Sequence, residues 1–417
     1  MAARGDRADR MTGPGRPVGV AAGTQRGRRT WFAGAAVALF GLYFAAAAPS
    51  PLLAVDQAQW HFPAWQLTLA FAVYPLSLLV TLLTVGSLSD HVGRRPVIVV
   101  ALLVEIAGLT TFALASDVGL LIAGRVVQGM ATGAAMGALS AAVVDLAPRP
   151  RVGGLLGSIA PLAGLSAGSL ITGLLLAEVM RPGAWILGLT NLVFVLCVAA
   201  AVVGPETSPA VGGALRSLRP SWRIPPGARA AFGRAVPVYV AGWVLGGINL
   251  GLGPLIVREI FGYQSGLVAG ASAALTTGVA AIAAFVLRDV PPAGPARWGL
   301  AAIGLAAVLI VISIPVASIW IYLAGFLVGG IGFGAAFAAA IALTIAGVAN
   351  HERGSVFSSV YVVCYLAFGV PAILAGLLAG PLGLPAVTVG YATLVIVVAA
   401  VGLGLRGRPR FADPAPR

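Results

Sequence analysis

Twelve stretches of about 20 or more apolar residues follow one another along this chain, joined by connections that hold most of its charge. An α-helix rises about 1.5 Å per residue, so about 20 residues cross a hydrocarbon core of roughly 30 Å. In that core no water satisfies the backbone, which must bond to itself. The stretches lack the alternation of a barrel strand, which leaves helices as the spanning element. They lie near residues 31–55, 64–88, 96–116, 118–146, 153–178, 184–204, 236–257, 264–287, 298–317, 319–348, 355–380 and 384–405. Of 417 residues, 59% are hydrophobic and 9% charged, against about a quarter charged in an average soluble domain. The expectation is an all-α integral membrane protein with twelve transmembrane helices.

The net charge of +13 invites a nucleic-acid partner, but its distribution points to topology. All 26 basic residues are arginine. With the N-terminus in the cytoplasm, 23 of them fall in inner segments; Arg181 and Arg258 lie outside and Arg125 lies within a helix. This is the positive-inside pattern, with both termini cytoplasmic, a plasma-membrane location and arginines meeting anionic lipid head groups. Residues 1–30 read as a disordered cytoplasmic tail, and 406–417 as a second tail. AAAAPSP (45–51) mimics a cleavage site, but eleven further spans make the first one a retained helix. Cys197 and Cys364 sit in apolar runs and offer neither a disulfide framework nor metal spacing. No metal or cofactor is expected.

The chain repeats itself. AGRVVQGMATGAA (123–135) and AGFLVGGIGFGAA (324–336) share seven identities in thirteen positions at an offset of 201. Two six-helix halves follow, 31–204 and 236–405, joined by the Pro-, Gly- and Arg-rich linker 205–235, which is expected to be flexible or to lie along the membrane surface. Such repeats commonly build transporters that hold substrate near the midplane between them. Gly129, Gly133 and Gly137 recur every four residues and share one helix face, as do Gly330 and Gly334. Small residues at that spacing allow close helix approach, in static packing or in sliding.

GSLSDHVGRRP (86–96) joins the second and third runs. Gly86 and Gly93 suit close approach or unusual dihedrals, and Pro96 suits a first helical turn. The stretch resembles the G-x-L-S-D-x-x-G-R-R loop signature of the major facilitator superfamily. RVVQG (125–129) is similar to the R-x-x-Q-G signature of its proton-linked members, and PET (205–207) to a frequent ending of its sixth helix. The likeness runs from about residue 31 to 405 and looks most like the bacterial twelve-helix drug or sugar efflux branch. It departs at APLAGL (160–165), where of the antiporter pattern G-P-x-x-G-G only the Pro161 and Gly164 positions match, and at VLRDVPPAGPARWG (286–299), where the second copy of the loop signature has eroded.

The resemblance implies the major facilitator fold and a cytoplasmic gate in which Asp90, Arg94 and Asp145, with Arg95 beside them, dock on the start of the eleventh helix, GSVFSS (354–359). Partial burial makes such charge pairs worth more than the roughly 0–1 kcal/mol of an exposed bridge. Glu105 and Arg125 are the ionisable side chains deep in the runs, where each costs roughly 2.5–3.5 kcal/mol on insertion scales and needs a partner. Helix rise puts them roughly 14 Å and 10 Å from opposite surfaces, so they can meet near the midplane. A pair made in one state and broken in another is a route to proton uptake; a permanent structural pair is the alternative. Gln128 shares a face with Arg125, where it either binds substrate or simply holds the arginine. The family layout favours Arg125 over Glu105 as a substrate or proton participant, and offers Tyr43 and Asn249 as the better cavity candidates among the other polar groups, although a satisfied helix-to-helix hydrogen bond is the weightier reading of any one of them.

GLSAG (164–168) fits the pattern of a hydrolase nucleophile elbow, yet Ser166 lies in an apolar helix and His61, His91 and His351 fall near connections, so an enzyme is not expected. GGIGFG (329–334) has no preceding strand and reads as helix packing. The expected function is secondary transport by alternating access, as proton-coupled efflux of a small organic molecule by a monomer without nucleic-acid partners. Proton-coupled uptake and a transporter-like sensor are the alternatives.

Overall fold

A computed structural model of the chain describes residues 25–208, 212–218, 223–349 and 352–406. Among the described residues, twelve helices are long and apolar enough to span a membrane. They are α1 (Gln25–Trp60), α2 (Ala64–Val85), α3 (Arg94–Ala113), α4 (Val118–Leu146), α5 (Pro150–Glu178), α6 (Pro182–Val203), α7 (Arg229–Gly251), α8 (Gly266–Val286), α9 (Ala293–Val316), α10 (Ile319–Ile345), α11 (Arg353–Leu382) and α12 (Leu384–Arg406). No strand occurs among the described residues. An even number of spans returns the chain to the side it started from, here called the terminal side.

Two starts differ from the apolar runs. α1 begins at Gln25 and α7 at Arg229, because Arg26, Arg28, Arg29, Arg229 and Arg234 lengthen the helices while interrupting the hydropathy. In α7 the burial of Phe232, Ala235 and Tyr239 shows the helical period running through residues assigned to the linker.

The two halves pack by the same rule. α4 lies against α2 and α3 as α10 lies against α8 and α9; α1 pairs with α5 as α7 pairs with α11. Each half has its own buried core, one around Leu39, Ile98, Leu139 and Phe194, the other around Tyr239, Leu245, Ile303 and Phe326. The glycine stripes make the α4 pairing possible. A Cβ on Gly129 would strike the Tyr74 carbonyl and the Ser77 hydroxyl, and one on Gly133 the Leu78 carbonyl, all on α2. Gly137 ends the stripe, with Gly86 as its neighbour, and Gly330 and Gly334 stand likewise against Thr276 and Ala280 of α8. Across the halves, α5 lies on α8 and α2 on α11.

The first helix of each half is broken. α1 bends at Ala48, before Pro49 and Pro51, and resumes over Pro49–Trp60. α7 stops at Gly251 and continues as the short helix Gly253–Glu259 with Pro254 in its first turn. Proline gives no N–H to the carbonyl four residues earlier and crowds it, so each break leaves carbonyls that need other donors.

Candidate functional site

The break in α1 organises the first polar centre. Pro49 has no N–H to give the Ala45 carbonyl, which instead accepts the Gln128 Nε2 amide at 2.8 Å. Arg125 Nη1 donates to the next carbonyl, Ala46, at 3.2 Å and to Gln128 Oε1. Both side chains are at most 2% exposed, which suits donors repairing a backbone inside lipid. The Arg125 guanidinium also lies 4.3 Å from the Tyr74 ring centroid, a geometry that helps hold a cation away from water.

Glu105 is fully buried behind this group and accepts the Thr132 hydroxyl at 3.3 Å. Among the described residues it forms no direct ion pair with Arg125; the two are electrostatic neighbours, both beside Tyr74. The expected meeting at the midplane thus takes the form of a cluster, Tyr74, Glu105, Arg125, Gln128 and Thr132, sealed among α2, α3 and α4. Asn249 is equally withdrawn: it donates to the Ala273 carbonyl and Thr276 hydroxyl, each at 3.0 Å, and binds α7 to α8 instead of facing the other half. Ser166 donates to the Ala274 carbonyl of α8 at 3.0 Å, a packing role with no elbow around it. On α5 the helix runs through Pro161, and Gly164 abuts the Phe40 carbonyl and Tyr43 of α1.

Between the halves the lining changes. Tyr74, Leu78 and Met136 of the first half form one cluster with Tyr365 of the second, flanked by Leu165, Trp243 and Tyr361. Tyr43 neighbours Tyr361 and Tyr74 here. Trp243 stands edge-on to Tyr365 at 5.0 Å and to Phe368 at 5.7 Å, and Phe368 meets Phe71 of the other half at 5.2 Å. The indole N–H of Trp243 and the hydroxyl of Tyr74 have no hydrogen-bond partner among the described residues. The seam is therefore aromatic: the hydroxyls of Tyr43, Tyr74, Tyr361 and Tyr365 and the Trp243 indole N–H are its polar groups, and none of the residues named in it is charged.

The 86–96 loop forms a separate centre on the terminal side. Gly86 is helical (φ −56°), whereas Gly93 takes φ +99°, which a side chain would strain; a Cβ there would also meet the Glu206 carboxylate at 2.7 Å. That carboxylate accepts the N–H groups of Arg94 at 2.9 Å and Arg95 at 3.1 Å, the free donors at the start of α3. Arg95 Nη1 donates to the Gly204 carbonyl at 3.3 Å, so the end of α6 is clamped to the start of α3. Glu206 is the middle residue of PET, visible in the sequence only as a family ending. Arg94 pairs with Asp145 at the end of α4, whose carbonyl also accepts Arg28 Nη2 at 2.9 Å. None of these contacts reaches the second half. Asp90 is exposed, and its carboxylate has no partner among the described residues; the start of α11 is open around Gly354. His351 lies outside the described residues.

The halves do join by hydrogen bonds on the side opposite the termini. The Ser50 hydroxyl donates to the Leu250 carbonyl, and Arg258 Nη1 to the Ala54 carbonyl at 2.6 Å. Close contacts of Thr68 with Gly376, and of Gly173 with Gly266 and Gly270, lie at the same end. These contacts join the halves at that end, and the charge cluster on the terminal side makes none to the second half.

The sequence model of the Major Facilitator Superfamily matches residues 31–370. Among curated proteins, an MFS-type transporter of Aspergillus terreus (strain NIH 2624 / FGSC A1156) is 44% identical over 68 residues, 16% of this chain and 12% of that protein. The probable metabolite transport protein CsbC of Bacillus subtilis (strain 168) is 30% identical over 129 residues, 29% of this chain and 26% of that protein. These alignments span about a quarter or less of either relative's length. A POT family transporter in complex with a thioalcohol-conjugated peptide superposes with a TM-score of 0.73 at 14% identity, covering 91% of this chain and 96% of that one. A bacterial homologue of the human lysosomal transporter Spinster, inward-facing and occupied, gives 0.72 at 13% identity over 92% and 97%. The human organic anion transporter MFSD10 gives 0.64 at 17% identity over 90% and 99%. At these identities the structures share the fold.

Proposed function

Because this chain belongs to the Major Facilitator Superfamily, we propose that it is a secondary transporter that exports a small, neutral, ring-bearing organic molecule in exchange for protons. It sits in the plasma membrane with both termini in the cytoplasm, the side that the arginines favour. The observation that carries the cargo class is the chemistry of the seam. Burying a charged solute without a counter-charge costs many kcal/mol, and the deep ionisable groups, Glu105 and Arg125, are sealed inside the first half. A molecule offering an aromatic face to Trp243, Tyr361 and Tyr365, and an acceptor to the Trp243 N–H, matches what the seam presents. Met136 adapts its shape to differently sized rings.

The direction follows from the cargo. A neutral, apolar molecule crosses lipid unaided, so spending a gradient on it is useful only against its inward leak. Cargo enters the seam from the cytoplasmic side while that side is open. When that side closes, Asp90 docks on the N–H groups at the start of α11, with Arg94 and Asp145 holding the loop that carries it. Glu105 is the proton-carrying group: its carboxyl is buried near Arg125 and Tyr74, in the cluster that braces the bend of α1, and gaining or losing a proton there changes how firmly that cluster holds.

The test is binding of neutral and ionised ring compounds to purified protein by tryptophan quenching, with Trp243→Phe and Trp243→Ala. Saturable binding of the neutral members, largely kept in Trp243→Phe and weakened at least tenfold in Trp243→Ala, is expected. Preference for a charged or sugar-like ligand would overturn the cargo class.

A further inference from the structure

The two broken helices are not repaired alike. In the first half the carbonyl orphaned by Pro49 is satisfied from within, by Gln128. At the repeat offset of 201, the positions of Arg125 and Gln128 become Phe326 and Gly329, which have no side-chain donor to give. Pro254 leaves the Leu250 carbonyl without an N–H, and its donor is the hydroxyl of Ser50, in the other half. A second bond runs the opposite way: Arg258 Nη1, just beyond the α7 break, donates to the Ala54 carbonyl just beyond the α1 break. Glu259 holds that guanidinium at 3.0 Å. Ser50 is 6% exposed, and Leu53 and Leu252, close to it and to Leu250 in the sequence, are buried.

We propose that Ser50 and Arg258 form a reciprocal clasp, made only while the side opposite the termini is closed, that sets how readily the protein opens to that side. The inference rests on the alternating-access reading above. Opening that side must separate the far segments of α1 and α7. The Ala45 carbonyl keeps Gln128 in either state, whereas the Leu250 carbonyl loses Ser50. Of the two carbonyls orphaned by proline, opening therefore exposes only that of the second half, and it breaks the bonds of two side chains, Ser50 and Arg258. Polar bonds between helices in lipid are individually modest, so each is expected to weight the open-to-closed ratio about threefold, and both about tenfold.

The experiment uses the full chain in nanodiscs, with Cys197 and Cys364 replaced by alanine and spin labels at Met180 and Gln264. These exposed positions, in the α5–α6 and α7–α8 connections, belong to opposite halves. Pulsed electron–electron distance measurements compare wild type with Ser50→Ala, Ser50→Thr and Arg258→Met, and counterflow is followed on the same samples. The longer-distance population should rise about threefold in Ser50→Ala and in Arg258→Met, and stay at the wild-type level in Ser50→Thr, which keeps the hydroxyl. Should Ser50→Ala not fold, Arg258→Met, whose side chain is 19% exposed, carries the same readout. Unchanged distance populations in protein that still transports would overturn the clasp alone. A wild type with one fixed distance and no transport would overturn the clasp together with the reading beneath it.

Discussion

Replacing Gln128 by methionine removes the amide that repairs the bend of α1 while nearly preserving side-chain length. The Ala45 carbonyl then loses the 2.8 Å bond that stands in for the N–H missing at Pro49, and Arg125 loses the Gln128 carbonyl oxygen. An unsatisfied buried carbonyl costs about 1–3 kcal/mol, and interhelical bonds in membranes average nearer 0.6 kcal/mol, so about 1–2 kcal/mol is expected in total. The decisive form is a double-mutant cycle with Pro49→Ala. Alanine restores an N–H at position 49, so in that background the Ala45 carbonyl no longer depends on Gln128, while the loss to Arg125 is the same in both. The cycle should show a coupling of about 0.5–1 kcal/mol, measured by reversible unfolding in mixed detergent–SDS micelles. An equal cost of Gln128→Met in both backgrounds would refute the account of the bend, because the amide would then be doing something other than replacing the proline's missing donor.

Three further expectations test other contacts. Gly133→Val places carbon against the Leu78 carbonyl of α2; backbone cannot yield as a side-chain tip can, and a loss of about 1–3 kcal/mol, or failure to accumulate, is expected in the same unfolding assay. Glu206→Ala leaves the Arg94 and Arg95 N–H groups without their carboxylate; about 1–2 kcal/mol of stability should go, with faster hydrogen exchange confined to the start of α3 and the end of α6. Asp90→Asn, at an exposed carboxylate without a partner among the described residues, should leave the melting temperature within a degree or two and slow transport severalfold; full activity would remove Asp90 from the gate.

What the sequence reveals here is set by periodicity and what it hides is set by long-range hydrogen-bond pairing. The spans are legible because lipid demands apolar length, and the glycine stripes because a spacing of four residues fixes one helix face. Their ends are less so: the arginines that open α1 and α7 read as loop although they continue the helix. AAAAPSP looks like a cleavage site in the sequence and is the bend of α1 in the fold. Two prolines announce two orphaned carbonyls, but which side chain answers each depends on neighbours 83 and 200 residues away. Only the family layout offers Asn249 and Arg125 as cavity groups; a polar residue in an apolar run demands a partner, which for Asn249 is a neighbouring helix and for Arg125 a broken backbone. Glu206 belongs to a visible motif, yet its task appears only when α6 ends beside the start of α3.

Counterflow in proteoliposomes tests the central claim most directly. Purified protein is reconstituted and loaded with a neutral aromatic compound, and exchange is followed with and without an imposed pH gradient, alongside sugars, amino acids and ionised aromatics. Saturable exchange of the neutral ring compounds is predicted, driven uphill by the pH gradient in wild type; Glu105→Gln should still exchange but lose the uphill phase. Exchange of sugars or charged solutes in preference, or uphill movement that survives in Glu105→Gln, would contradict the account.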